Sequence, residues 1–253
     1  MSVFCHRSLP VLVLIILFGY AAGCSWGRKM EKESTPQEFY ESAMALLQKK
    51  KYEPAAEAFK KVKEEFPLSQ YTALAEVRGA DAVFLDKKYA EAIVLYEEFR
   101  KLHPTHPEIP YAIYQMGMSH YKQMHTIDRD QTETEKAIEQ FRYLIENYPQ
   151  SPQAEEGRMR LRYCRLHLAQ HEYSIGHFYY RTKKFQAALG RFEGILQRYP
   201  DLGWEERLNP LIKECRTKVE REEQKKMEKA AREEQKRKKE EEKKKAKGRE
   251  SST

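Results

Sequence analysis

Glycine and cysteine are scarce in this chain of 253 residues, which has 11 glycines and four cysteines. No glycine-rich run of the kind that wraps a phosphate group occurs among them. His167 and His171 stand four residues apart, a spacing that can chelate a metal, but no glutamate or cysteine pair completes a known zinc motif around them. We therefore predict that the protein is not an enzyme and binds no metal or organic cofactor.

The few cysteines also argue against a disulfide framework. Cys5 lies in the apolar leader described below, and Cys24 lies at the end of that leader, which leaves two distant thiols at Cys164 and Cys215. Two such thiols are too few to stabilise a small disulfide-rich fold. We interpret Cys164 as a small buried apolar residue, and whether it pairs with Cys215 stays open.

Acidic side chains are fewer than basic ones, but only because of the C-terminal tail. Residues 216–249 contain 16 basic and nine acidic residues, which accounts for the whole formal net charge of +7. The rest of the chain is electrically balanced, so no basic groove for a nucleic acid is expected. We predict that residues 216–253 form a solvated basic tail, helical or disordered. Attraction of the clusters at 236–239 and 243–245 to anionic lipid is the alternative.

The one long apolar run lies near the start of the chain, in residues 9–22, after His6 and Arg7. A membrane-spanning helix needs roughly 20 apolar residues, and this run is shorter. A short apolar run that follows a basic residue and ends in small residues is typical of a secretory signal peptide. We predict that residues 1–23 are such a leader.

Cys24 directly follows this leader, in the sequence YAAGC at 20–24. This sequence resembles a bacterial lipobox, in which the cysteine receives a lipid. We predict lipidation of Cys24 and a polar tether over residues 24–34; the alternative is an ordinary signal peptide with an incidental cysteine. Ser25 after the cysteine, instead of aspartate, is similar to lipoproteins that enterobacteria export to the outer membrane.

A repeated pattern organises the rest of the chain. Four aromatic residues each follow an alanine by four positions, precede an apolar residue by three and precede a proline by eight: Phe59, Tyr96, Phe141 and Phe192. The alanine and the aromatic residue lie on one helical face, and the proline ends the helix. This pattern is typical of the second helix of a tetratricopeptide hairpin.

The spacing of these aromatic residues is 37, 45 and then 51 residues, whereas the usual repeat has about 34. We place the excess of the third unit in a polar loop at 125–131, and that of the fourth in a longer first helix or bend within 160–184. The predicted fold of residues 35–215 is an all-α, tetratricopeptide-like superhelical solenoid of about five helical hairpins, beginning with a capping box at Thr35.

Aromatic residues on the predicted first helices are candidates for binding extended peptides along the inner curve of such a solenoid. Aromatic and arginine side chains give contact area with little loss of entropy. The alternative is that they belong to the core. The candidate peptide-binding residues are Tyr71, Arg78, Tyr111, Tyr114 and Tyr121.

Three passages carry a more specific resemblance. They are RKLHPTHP at 100–107, continuing into YAIY at 111–114, EYSI at 172–175 and FEGILQRYPD at 192–201. They fix loop residues that the generic repeat leaves free. On these passages residues 35–215 resemble the BamD family, the tetratricopeptide lipoprotein subunit of the outer-membrane β-barrel assembly machinery. Members of that family end soon after the last helix, so the basic tail departs from the resemblance.

The resemblance implies a five-repeat lipoprotein anchored in the outer membrane and facing the periplasm. It implies that the C-terminal repeats bind the barrel-forming subunit, beside other lipoprotein subunits, and that the N-terminal repeats recognise unfolded outer-membrane proteins. Trp204 and Arg207 are our candidates for the subunit interface. The alternative is a periplasmic tetratricopeptide lipoprotein that coordinates cell-wall synthesis or envelope constriction.

Overall fold

Nine helices make up the part of the chain that the computed structural model describes, residues 35–250, with side-chain surroundings described up to residue 243. No strand occurs in this range, and the predicted all-α class is confirmed. The helices are α1 (Pro36–Gln48), α2 (Tyr52–Glu65), α3 (Gln70–Leu85), α4 (Tyr89–Leu102), α5 (Ile109–Lys122), α6 (Thr132–Asn147), α7 (Pro152–Arg181), α8 (Phe185–Arg198) and α9 (Glu205–Glu250).

Consecutive helices pair into four antiparallel hairpins, α1/α2, α3/α4, α5/α6 and α7/α8, and α9 packs on α8. Each hairpin also contacts the next one along the chain, so the units stack side by side and bury one another's apolar faces. The prediction of about five hairpins thus corresponds to four hairpins and a single long helix. That helix continues without a break from the body into the basic tail.

The two predicted departures from the regular repeat have different structural causes. Residues 123–131 form a long connection inside the third hairpin, in agreement with the predicted loop. The excess in the fourth unit is a longer first helix, because α7 has 30 residues where α3 has 16. The two ends of α7 serve different neighbours: Gly157, near its start, lies against Leu144 of α6, and Gly176, near its end, lies against Phe192 of α8.

Side-chain caps fix where several first helices begin. Thr35 forms the predicted capping box with Glu38, in which each residue accepts a hydrogen bond from the other's backbone N–H. Ser69 and Ser151 cap α3 and α7 through their hydroxyls alone, which accept hydrogen bonds from backbone N–H groups in the first turn. These contacts satisfy amide groups that a helix leaves unpaired at its start.

The turns inside three hairpins share an unusual backbone conformation. Lys50, Lys87 and Lys183 follow a first helix by two residues, and all three have positive φ angles of 56°, 63° and 58°. The next residue returns a backbone hydrogen bond to the helix, as in the C-terminal motif that glycine usually completes. A lysine pays a steric penalty in this left-handed region.

The four repeated aromatic residues are all fully buried, together with the alanines that precede them. Small residues on first helices make room for the rings. A Cβ atom on Gly117 would lie 2.6 Å from the Phe141 ring, and one on Gly176 would lie 2.6 Å from the Phe192 ring. The pairing of a ring with a glycine therefore sets how closely the two helices of a hairpin approach.

Candidate functional site

The first helices of the hairpins form one side of the stack. The first helix α1 contacts α3, and α5 contacts α7, whereas no contact of similar extent joins second helices of neighbouring hairpins in the described range. At these two places first helices approach one another more closely than second helices do, as expected for the inner side of a curved stack. The candidate peptide-binding residues all lie on α3 and α5, so their environments can be compared directly.

Two of these candidates belong to a hydrogen-bonded network around the buried carboxylate of Asp81. The Tyr111 hydroxyl donates to Asp81 Oδ1 at 2.9 Å, and Arg78 Nη1 donates to Asp81 Oδ2 at 2.8 Å. The Tyr96 hydroxyl donates to Asp81 Oδ1 at 2.6 Å. Because Tyr96 lies on α4 and Tyr111 on α5, one carboxylate joins the second hairpin to the third.

The electrostatics of this network keep Arg78 charged and the two tyrosines neutral. Burial would lower the pKa of Arg78, but its bond to Asp81 and the charges of Asp81 and Glu108 raise that pKa overall. Burial, followed by the Asp81 charge, raises the pKa of Tyr96 and of Tyr111. The guanidinium of Arg78 also lies 5.2 Å from the centre of the Tyr111 ring. Arg78 and Tyr111 are therefore committed to internal contacts.

A second aromatic cluster joins α5 to α7. The Arg160 guanidinium lies 5.3 Å from the centre of the Tyr121 ring, which meets the Tyr163 ring edge-on at 5.5 Å. Tyr114 is only 8% exposed, and burial, together with a hydrogen bond to Glu156, raises its pKa. A bound segment would reach Tyr121 more easily than Tyr114.

Exposed side chains next to this cluster were missed by the sequence reasoning. Met159 is 62% exposed and Tyr163 is 51% exposed, and their spacing of four residues places them on one face of α7. We call Tyr121, Met159, Arg160 and Tyr163 the aromatic patch. The spacing of Met159 and Tyr163 was the only feature of the sequence that could have indicated this surface. Without the position of α7, the same spacing is equally typical of two residues on the buried face of a helix.

Tyr71, the remaining candidate for peptide binding, packs against the N-terminal core cluster. Its ring lies 5.5 Å from that of Tyr40 on α1, which in turn contacts Phe59. Tyr71 is partly buried. The candidate residues thus do not form one continuous surface: Tyr71 packs against the first hairpin, Arg78 and Tyr111 belong to the Asp81 network, and Tyr114 and Tyr121 lie near α7.

A cleft of about 510 Å³ opens between α2, α3 and α4. Its lining includes small and apolar residues of α3, such as Ala75, Gly79 and Val83, and charged residues of α2 and α4, such as Lys60 and Glu98. No sequence motif pointed to it. The small residues Ala75, Gly79 and Ala80, which line it, were the only sign in the sequence.

The two C-terminal candidates have different surroundings. Trp204 is buried in the last core cluster, where its ring lies 5.4 Å from that of Tyr173. Arg207 is exposed and its guanidinium lies 4.1 Å from the centre of the Tyr173 ring. Nearby, Arg165 donates two hydrogen bonds to the Asp201 carboxylate at 2.6 and 2.5 Å. Of the pair, only Arg207 presents its side chain to solvent.

The paired histidines of α7 hold the long third-hairpin loop. His167 Nδ1 donates to Gln131 Oε1 at 3.0 Å, and His171 Nδ1 donates to the Ile127 carbonyl at 2.5 Å. Burial and the neighbouring His171 lower the pKa of His167. Within residues 35–243 no group of three His, Cys, Asp or Glu side chains could hold a metal ion. Cys164 and Cys215 are both buried and free, so they form no disulfide.

The predicted leader, the lipidation site at Cys24 and the tether lie outside the described residues. Among the helices that are described, none is long and apolar enough to cross a membrane.

This all-helical protein of stacked hairpins is similar in sequence to a known family and to several named proteins. Residues 32–235 match the YfiO family, described as outer membrane lipoprotein. The outer membrane protein assembly factor BamD of Rickettsia prowazekii is 31% identical over 194 residues, covering 75% of this chain and 76% of that protein. BamD of Caulobacter vibrioides is 26% identical over 203 residues, covering 79% and 67%.

A solved structure, the TPR2AB domain of yeast Sti1 in a pHSP90 complex, is 12% identical with a TM-score of 0.44, covering 73% of this chain and 70% of that one.

The chain belongs to the YfiO family, and the resemblance to BamD is confirmed. The family match ends at residue 235, so the first part of the basic tail lies within it, contrary to the expectation that the tail as a whole departs from the family.

Proposed function

We propose that this protein is a non-catalytic scaffold of outer-membrane protein assembly, attached to the outer membrane by a lipid on Cys24 and facing the periplasm. The observation that carries the proposal is the family match over residues 32–235 together with relatives that are named outer membrane protein assembly factors. A stack of rigid hairpins suits such a role, because it presents side chains for binding without any covalent step.

The aromatic patch is our candidate surface for unfolded outer-membrane precursors. Tyrosine and arginine supply much of the binding energy in protein interfaces, and methionine adapts its shape to different partners. Strands of outer-membrane barrels carry aromatic residues near both membrane interfaces, which could stack on Tyr121 and Tyr163. Arg160 is held between Tyr114 and Tyr121 by hydrogen bonds that raise its pKa, so its charge is fixed in place.

The end of the stack formed by α7, α8 and α9 is our candidate surface for the barrel-forming subunit. Arg207 stacks on Tyr173 there and points its guanidinium to solvent. A preorganised arginine loses little entropy when it pairs with a carboxylate of a partner. Trp204 acts indirectly, since its buried ring packs 5.4 Å from that of Tyr173 and supports the ring on which Arg207 lies.

Site-specific photocrosslinking in cells tests both surfaces at once. A photoreactive residue at Tyr163 should capture outer-membrane precursors, and one at Arg207 should capture the barrel-forming subunit. The control is the exposed Glu139 on the second helix α6, which should capture neither. Recovery of peptidoglycan enzymes in place of these partners would overturn the proposal in favour of a cell-wall role.

The anchor has a separate test. Growth with an alkyne-bearing fatty acid should label the protein, and Cys24→Ala should abolish the label and release the protein from the membrane fraction. Retention of the label in Cys24→Ala, or an unmodified amino terminus on the mature protein, would contradict lipidation at this residue.

A further inference from the structure

The last helix leaves the body of the protein and runs on into solvent. Cys215 is the last buried residue on α9, and every side chain described from residue 220 to residue 243 is exposed. From residue 216 to its end at Glu250 the helix has 35 residues, a length of about 50 Å at 1.5 Å per residue. Its charges are therefore free to meet something outside the body.

The helical register concentrates basic residues along one side of α9. Eight basic residues follow one another at steps of three or four, which places them in a single row along seven turns; we call this row the basic stripe. It consists of Lys218, Arg221, Lys225, Lys229, Arg232, Lys236, Lys239 and Lys243. No acidic residue between 218 and 243 lies within the stripe, although Glu222, Glu228, Glu233 and Glu240 flank it.

The opposite face of α9 carries acidic residues and small ones. Glu220, Glu223, Glu234 and Glu241 recur there, with Met227 between them. Lys238 lies on that side, and its charge is paired with Glu234 at 2.8 Å. Within the stripe, Lys229 reaches Glu233 at the longer distance of 3.9 Å, with both side chains largely exposed.

The composition of the stripe decides which kind of partner fits it. Interfaces between proteins are centred on aromatic and apolar residues and are depleted of lysine, whereas residues 220–243 contain no aromatic residue and only Met227 as a large apolar one. A helix that inserts into a bilayer also needs an apolar face, which the exposed part of α9 beyond residue 219 lacks. A straight row of exposed cations instead suits attraction to a flat anionic surface, without insertion.

We propose that the basic stripe of α9 binds the surface of a bilayer containing anionic phospholipid, with the acidic face of the helix turned to water. This contact is independent of the assembly role proposed above. Together with an anchor at Cys24 it would attach the stack to the membrane at both ends, because α1 and α9 lie at opposite ends of the series of hairpins.

Vesicle co-sedimentation tests the proposal in the absence of an acyl anchor. The protein to use is the chain from residue 24 onward with Cys24→Ala; the three core clusters all lie between residues 43 and 215, so the body keeps its whole core. It should bind vesicles of phosphatidylcholine mixed with phosphatidylglycerol, and not vesicles of phosphatidylcholine alone. Added salt should release it, since screening weakens exposed charges.

Two matched variants separate the stripe from net charge. Lys225→Gln, Arg232→Gln and Lys236→Gln together remove three charges from the stripe, and Lys226→Gln, Arg237→Gln and Lys238→Gln remove three from outside it. The stripe variant should bind at least roughly tenfold more weakly, since each cation near an anionic surface contributes. The second variant should stay within about threefold of the parent protein.

Several outcomes would overturn the proposal: equal weakening in both variants, no weakening in either, or binding that does not require phosphatidylglycerol. Circular dichroism of both variants checks that α9 stays helical. If the stripe variant loses helix, the exchange of Lys225 and Lys236 for arginine keeps the charge in place and must retain binding. Failure of that exchange to bind would equally count against the stripe.

Discussion

The hydroxyl of Tyr96 donates a 2.6 Å hydrogen bond to Asp81 inside the core, where both side chains are buried. The same carboxylate receives Arg78 and Tyr111, and so a single acidic group holds three helices together. A buried carboxylate is costly unless its oxygens are fully hydrogen-bonded, and here three donors meet that requirement. This relationship explains why Arg78 and Tyr111 are held in place inside the stack.

Asp81→Asn should therefore lower the free energy of unfolding by about 1–3 kcal/mol. The amide cannot accept through both of its polar atoms, so one of the three donors loses its partner. Chemical denaturation measures the change. Asp128→Asn in the exposed loop is the control and should stay within about 0.5 kcal/mol of the parent. Equal stability of the two variants would show that the network contributes little.

Gly117→Ala and Gly176→Ala should each destabilise the protein by about 1–3 kcal/mol. The added methyl group would lie 2.6 Å from the ring of Phe141 or Phe192, and a ring held in a close-packed core cannot move away freely. Gly190→Ala is the matched control, since nothing lies within 4 Å of its added Cβ atom. It should raise stability by up to about 1 kcal/mol through helix propensity. Thermal unfolding compares all three.

Lys50→Gly, Lys87→Gly and Lys183→Gly should each raise stability by about 0.5–1 kcal/mol. Glycine removes the penalty of about 1–2 kcal/mol for a side chain in the left-handed region, less the greater entropy that it gives the unfolded chain. Lys49→Gly is the control, because Lys49 has an ordinary φ of −76°. Denaturant midpoints that fall in all four variants would argue against a strained turn.

Stability should also depend on pH through Glu172, which accepts from Arg191 at 2.7 Å and from Arg198 at 2.9 Å. Burial would raise the pKa of Glu172, but the hydrogen bonds from Arg191 and Arg198 outweigh it and lower that pKa below 4.5. Because the folded pKa is the lower one, the stabilisation is present above the unfolded pKa and is lost as the pH falls through the folded value.

Glu172→Gln should accordingly unfold more easily at neutral pH and show a smaller loss of stability below pH 4.5. Urea denaturation at a series of pH values measures both effects. Glu155→Gln, in the exposed pair with Arg158, should change the unfolding free energy by less than about 1 kcal/mol. A parallel pH profile of Glu172→Gln and the parent protein would contradict the assignment.

Cys164 should resist thiol reagents in the native protein. Burial raises its pKa to about 12, so almost no reactive thiolate exists at pH 8, and its sulfur lies 3.8 Å from Met124 Sδ. Peptide mapping after alkylation should find Cys164 unmodified in the folded state and modified in denaturant. Rapid modification without unfolding would show that this part of the core opens.

The repeat pattern predicted the hairpins because it depends on local physics. An alanine, an aromatic residue and a proline at fixed offsets specify a helix, its buried face and its end, and a polar run such as 125–131 has no apolar face to bury. The family resemblance was also readable, since it rests on particular loop residues. None of these predictions requires knowledge of the side-chain contacts between neighbouring hairpins.

The candidate site was less predictable, for a reason that applies to any helical stack. Tyr114 and Tyr121 lie seven residues apart on one helix, yet the first is buried and the second only partly so, because exposure depends on where α7 crosses α5. Likewise the exposure of Met159 and Tyr163 is set by which face of α7 is left uncovered in the stack.

By itself the sequence determined the helical class, the order of the hairpins, the sorting of basic residues along the tail and the family to which the chain belongs, because each is set by spacing along the chain. Tertiary structure alone decided that Asp81 joins three helices, that Trp204 is buried beside Tyr173 and that Arg207 is left in solvent. Those outcomes come from contacts between residues far apart in sequence, and no local pattern encodes the distance between two helices.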